Sequence, residues 1–216
     1  MREGPFVLAP QAFLAFCRSY PADCAPSEAN TITLDGEASD LLRRVNMQVN
    51  RSVAPVELRG PDVWELDLKA GHCAIYAVQK RHELIEMGMP AAALSLAVVT
   101  TRTGDLHLVL VVRSDRGAVV LDNLNPEILP WTATGYEYRR VQSRDNPMFW
   151  VAVAGSRPVI ETAGRGDQRK ASKLASLGLP TRAAEMAFRE FGGRDPLRAL
   201  PPRVELALLL GDTLTQ

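Results

Sequence analysis

The 216-residue chain has only three cysteines and three histidines, carries no net charge, and contains no long hydrophobic run. Each shortage excludes something. With 25 basic residues against 25 acidic ones there is no surplus to attract nucleic acid or an acidic membrane surface, so no nucleic-acid partner is expected. The longest apolar stretches, around Leu106 to Val112 and Leu206 to Leu210, fall far short of the roughly 20 residues of a spanning helix, so no membrane span is expected. No second Cys or His cluster has ligand spacing, which argues against a zinc site; no metal and no cofactor are expected. The first residues, Met1-Arg2-Glu3-Gly4-Pro5, hold neither an apolar core of secretory length nor a small-residue cleavage site. Either the protein is cytoplasmic, or it is exported and the sequence begins after a removed leader.

What is present is ordinary in bulk: 46% hydrophobic and 23% charged residues suit a soluble globular protein. The length favours one well-buried domain with an appendage over two full domains. Cys17 and Cys24 are close together, whereas Cys73 stands alone. A local pair plus one odd thiol suits an exported protein with one small disulfide and a free reactive cysteine. Two reduced core cysteines are the alternative.

Along the chain, Pro10 at a first-turn position predicts a short helix through Phe13, Phe16 and Cys17, stopped by Pro21. Residues 31–34 read as an extended lead-in, with Thr33 or Asp35 able to cap the next helix. Leu41, Leu42, Val45, Val49 and Val53 recur at helical spacing, and Pro55 ends that helix. Leu58 to Lys69 reads as a loop anchored by Trp64. A helix from Cys73 places Cys73, Ala77 and Leu84 on one face and is terminated by Gly88 and Pro90. Leu94 to Thr101, Leu106 to Val112 and Ala118 to Asp122 read as strands joined by tight turns. The middle one is nearly continuous in apolar residues and is expected to be central. Trp131 to Gln142 and Met148 to Ala154 supply one or two more strands. Helices first and then an antiparallel meander imply an α+β domain over residues 10–155. Residues 156–216 read as an accessory helical tail or a partly disordered end, with helices expected over Thr181 to Phe191 and Arg203 to Leu210.

The chemistry concentrates between Trp64 and Asp122. Cys73 sits where a loop becomes a helix, His107 on the apolar strand and Asp122 at the end of the next one. A thiol nucleophile, its base and the base's orienter are laid out in this way in papain-like and transglutaminase-like cysteine hydrolases. The helix N-terminus and an imidazolium both favour the thiolate at Cys73. Backbone N–H groups at the helix start are oxyanion donors, and Asn46, Gln48 or Asn50 is a candidate to add a side-chain donor. His72 and His82 read as the other two histidines, since adjacent side chains at a helix start diverge.

These residues resemble a family. Phe16-Cys17 with Pro21 and Cys24, Val45-Asn46, Val49-Asn50, Trp64, Gly71-x-Cys73, Lys80-Arg81 with Leu84, His107-Leu108-Val109-Leu110, Leu121-Asp122-Asn123, Trp131, Tyr138, Ser143 and Trp150 are similar to the bacterial transglutaminase-like cysteine peptidases. That group includes the periplasmic LapG-type adhesin proteases, and the likeness runs from about Phe13 to Val153. It implies a Cys73, His107 and Asp122 triad that cleaves an amide bond of an exported protein or peptide substrate through a thioester. It also implies export, a Cys17–Cys24 disulfide and a regulatory membrane receptor. Transglutaminase or amidase chemistry on the same triad is an alternative, and so is an inactive binding module. The family's Gly-Asp-Cys-Glu-Asp run is replaced here by His72, Ala74 and Ile75 around the cysteine. With those carboxylates gone, no family-type calcium site is expected.

Overall fold

A computed structural model of the chain describes residues 1–57 and 61–154. The whole of the expected tail, with the two helices read from sequence, lies outside the described residues, as do positions 58–60 of the Trp64 loop.

Three helices follow one another on the N-terminal side. The first, α1 (Gln11–Ser19), starts after Pro10 and buries Ala12, Phe13, Phe16 and Cys17. Phe13 packs edge-on against Trp64 and Trp150, with ring centroids 6.1 and 5.4 Å apart. Pro21 cannot continue the helix hydrogen bonding and opens a single 3-10 turn to Cys24, which is disulfide-bonded to Cys17. In α2 (Gly36–Ser52), Asp35 is the N-cap and its carboxylate accepts the Ala38 N–H at 2.8 Å. Leu42, Val45, Asn46 and Val49 form its buried stripe. The helix ends at Ser52, and Ala54–Pro55 becomes a two-residue strand, β2. It pairs in parallel with β3 (Ala70–Gly71), tying down the chain just ahead of α3 (Cys73–Glu86).

The sheet is built from β1 (Glu3–Val7), β4 (Leu94–Thr100), β5 (Leu106–Ser114), β6 (Gly117–Leu121), β7 (Leu129–Pro130), β8 (Glu137–Gln142) and β9 (Trp150–Val153). Its order is β1-β9-β8-β4-β5-β6-β7, with every neighbouring pair antiparallel. Only β4 to β7 form the simple meander expected from sequence; β8 crosses back to the other side of β4. The N-terminal strand β1 also departs from the sequence reading, because Gly4-Pro5 argues against a strand interior. It lies at the sheet edge, where proline is tolerated, and the register shifts between Glu3 and Phe6. The segment from Trp131 does not run straight into a strand. Trp131–Ala133 is a 3-10 turn, Gly135 takes a φ of 72°, and β8 begins only at Glu137.

As its composition requires, β5 is buried on both faces. Leu108, Leu110 and Val112 join the core formed with the three helices, while Val109 and Val111 join Ala97, Val99, Tyr138 and Val141. Because α3 packs on β5, the start of the helix and the start of the strand share one end of the domain.

Candidate active site

Local geometry fixes the cysteine first. A Cβ on Gly71 would come 2.7 Å from Ile75 Cβ, so only glycine allows the chain to turn this closely into α3. His72 is the N-cap, with extended backbone, and its Nδ1 accepts the Ala74 N–H at 3.4 Å. Cys73 is the first residue of the helix, a partly buried free thiol. The helix N-terminus places a positive dipole end at the residue that carries this sulfur.

His107 and Asp122 arrive from the sheet. Leu110 pairs with Leu121, so one more residue along β6 brings Asp122 back towards the start of β5. His107 is 6% exposed, Asp122 is 4% exposed, and His107 Nε2 is 2.7 Å from Asp122 Oδ1. The ring is thereby held by Nε2, which leaves Nδ1 outside the Asp122 contact. The same carboxylate accepts the Leu124 N–H at 3.0 Å on Oδ1 and the Tyr136 hydroxyl at 2.6 Å on Oδ2. The Tyr136 ring also meets the imidazole edge-on, with centroids 5.9 Å apart.

The electrostatics follow from these contacts. Burial alone would push the Cys73 thiol up, but hydrogen bonds to His107 and His72, the charge on His107 and a backbone hydrogen bond from Leu108 bring it down to about 6. Burial opposes the charge on His107, yet its hydrogen bonds to Asp122 and Cys73 raise it to about 9. Asp122 is penalised by burial and still held below the usual carboxylate range, chiefly by its His107 hydrogen bond. Both shifts favour the charged pair, thiolate at Cys73 and imidazolium at His107.

Two further groups were not legible as site residues. His72 was expected to diverge from Cys73, but as the N-cap its ring folds back over the first turn to accept the Ala74 N–H, close enough to help lower the thiol. Its Nε2 stands 3.4 Å from Asp62 Oδ1, which also accepts the Trp64 indole N–H at 3.0 Å. Lys80 is buried two turns further along α3; burial lowers it to about 7, and the opposing pull comes from Asp122.

The three expected side-chain oxyanion donors are engaged elsewhere. Asn46 donates to the Pro126 carbonyl at 3.1 Å and Asn50 to the Asp122 carbonyl at 2.9 Å, so both pin the loop that follows Asp122. Gln48 is exposed on another face of α2, with Nε2 3.5 Å from Glu83. Their helical spacing put Asn46 and Asn50 near the site, but nothing in it showed that their amides would be consumed by backbone. Among the described residues, no group of three or more His, Cys, Asp or Glu side chains is placed to hold a metal ion. No described helix is long and apolar enough to cross a membrane.

A helix-borne thiol, a strand-borne histidine and an α+β core with an antiparallel sheet define a transglutaminase-like cysteine peptidase. The chain belongs to the bacterial transglutaminase-like cysteine proteinases (BTLCP), whose family pattern matches residues 3–158. Among solved structures it is similar to calcium-bound LapG of Legionella pneumophila, with 16% identity and a TM-score of 0.48 over 73% of this chain and 87% of that one. EGTA-treated LapG from the same organism gives 19% identity and a TM-score of 0.47, over 58% and 74% of the two chains. None of the curated proteins matches the chain.

Proposed function

We propose that Cys73, His107 and Asp122 are the catalytic triad of this peptidase and that it hydrolyses an amide bond of an exported protein. The observation that carries the reading is the 2.7 Å bond between His107 Nε2 and Asp122 Oδ1, which leaves the other ring nitrogen for a thiol at a helix start. The Cys73 thiolate attacks the substrate carbonyl carbon, forming the S–C bond and an oxyanion. The Cys73 backbone N–H at the start of α3 is the donor for that oxyanion, since the asparagines and the Ala74 and Ile75 N–H groups are engaged elsewhere. The intermediate collapses by breaking the C–N bond, and His107 gives its proton to the departing amine. Water then attacks the thioester while His107 takes its proton, and the thiolate leaves as the carboxylic acid is released.

The Cys17–Cys24 disulfide supports a periplasmic or otherwise exported location, because such bonds persist in oxidising compartments. On the same family reading, a membrane receptor is the regulatory partner. The test compares the protein with its Cys73→Ser variant on a mixture of exported proteins, by labelling new N-termini. New termini produced only by the unsubstituted protein support peptide hydrolysis. Incorporation of a primary amine probe without new termini would replace it with amine transfer. If neither appears and Cys73 reacts like an ordinary thiol, the protein is a binding module.

A further inference from the structure

We infer that Tyr136 is a positioning residue, a fourth member of the row Cys73–His107–Asp122 that holds the Asp122 carboxylate in the orientation His107 needs. The inference rests on the triad reading and adds to it a residue outside the Cys, His and Asp pattern.

The geometry is specific. Asp122 is 4% exposed and cannot rely on bulk water to solvate its charge. Its two oxygens are satisfied from three directions: Oδ1 by His107 and the Leu124 N–H, Oδ2 by the Tyr136 hydroxyl at 2.6 Å. Tyr136 is the only side chain other than His107 that donates to this carboxylate among the described residues. Its O–H therefore decides whether the carboxylate can rotate about its own axis. Because the phenol ring also stands 5.9 Å from the imidazole, edge to face, it restricts the tilt of His107 as well.

The surrounding loop is built to deliver this hydroxyl. The left-handed Gly135, φ 72°, reverses the chain directly before Tyr136, and the Arg102 guanidinium occupies the space where a Cβ would stand. Thr134 then accepts the Tyr136 N–H at 3.3 Å through Oγ1 and itself donates to the Trp131 carbonyl at 2.9 Å. This is a held loop end, and it aims a proton donor at an oxygen that would otherwise be buried without one.

Two effects compete when the hydroxyl is removed. Taking a donor from Asp122 concentrates its charge, which alone would strengthen its hold on the His107 N–H and lower the thiol. Leaving Oδ2 unpartnered in a buried site makes the carboxylate turn towards water, which breaks the Oδ1 contact and raises the thiol. For a group this buried, the second effect dominates.

The experiment is the pH dependence of iodoacetamide labelling at Cys73 in the full chain, comparing Tyr136→Phe with the unsubstituted protein and with His107→Ala. Tyr136→Phe keeps the ring contact and removes only the O–H. The midpoint is expected to move up by about half a pH unit or more, in the same direction as His107→Ala and by less. A midpoint that is unchanged or lower overturns the positioning role, whatever happens to the melting temperature. If His107→Ala also leaves the midpoint in place, the triad reading fails instead. Should Tyr136→Phe not fold, proton NMR of the unsubstituted protein decides: a slowly exchanging phenol proton on Tyr136 supports the bond, and rapid exchange overturns it.

Discussion

Replacing His107 by alanine should move the ionisation of Cys73 more than any other single change. In the intact site the thiol lies near 6 although burial pushes it up, and the largest opposing contribution is its hydrogen bond to His107. Alanine removes both that bond and the imidazolium charge, while burial and the weaker His72 contact remain. The thiol should then return towards the usual 8.5 to 9 range, about 2 to 3 pH units higher. Labelling rates at one pH would understate this. At pH 7 the thiolate fraction falls from about nine-tenths to a few per cent or less, but a thiolate of higher pKa is intrinsically more nucleophilic by about 0.4 to 0.5 log units per unit of pKa. Much of the loss at pH 7 is thus offset. At pH 5 the ionisation difference is about two to three orders of magnitude and still leaves a net slowing of at least about tenfold. The assay is therefore a full rate–pH profile by mass spectrometry of the Cys73 peptide between pH 4.5 and about 10. A midpoint that stays near 6 in the variant would refute the claim that His107 controls the thiol.

Three further outcomes follow from the same structure. Turnover of any substrate should give a bell-shaped pH profile with limbs near 6 and 9, because the thiolate is lost below the first and the imidazolium proton above the second; a single rising limb would contradict it. Lys80→Met should raise the melting temperature at pH 7. Its amine, lowered to about 7 in the fold, binds fewer protons than in the unfolded chain up to its ordinary 10.5, so stability rises with pH across that window and the rise should vanish in the variant. Gly71→Ala should cost roughly 1 to 3 kcal/mol in chemical denaturation, since its Cβ would meet Ile75, and unchanged stability would show that the turn into α3 is looser than described.

Physical reasoning explains which parts of this were visible in the sequence. The α2 stripe, the Asp35 cap and the doubly buried β5 were legible because periodicity and cap chemistry are local. The Cys73, His107 and Asp122 pattern was legible because each sits at an element boundary that the sequence marks with glycine, a polar break or a turn. Strand β1 was not, since Gly4-Pro5 hides an edge strand whose partner lies some 145 residues away in β9. Strand order beyond the meander was also hidden, as β8 could have continued outward as readily as it crossed back to β4. Tyr136 carried no motif of its own; its role depends on a hydroxyl meeting a carboxylate 14 positions away, which only the folded loop reveals. The asparagines show the reverse case, where the right helix face led to the wrong task because backbone carbonyls took their donors first.

The ionisation state of the pair itself is the most direct measurement. Nitrogen-15 NMR of His107 at pH 7.5, midway between the two limbs, should show both ring nitrogens protonated, and Cys73→Ser should lower the pH at which the ring loses its proton. A neutral His107 in the unsubstituted protein, or a charged one indifferent to the loss of the thiol, would contradict the account.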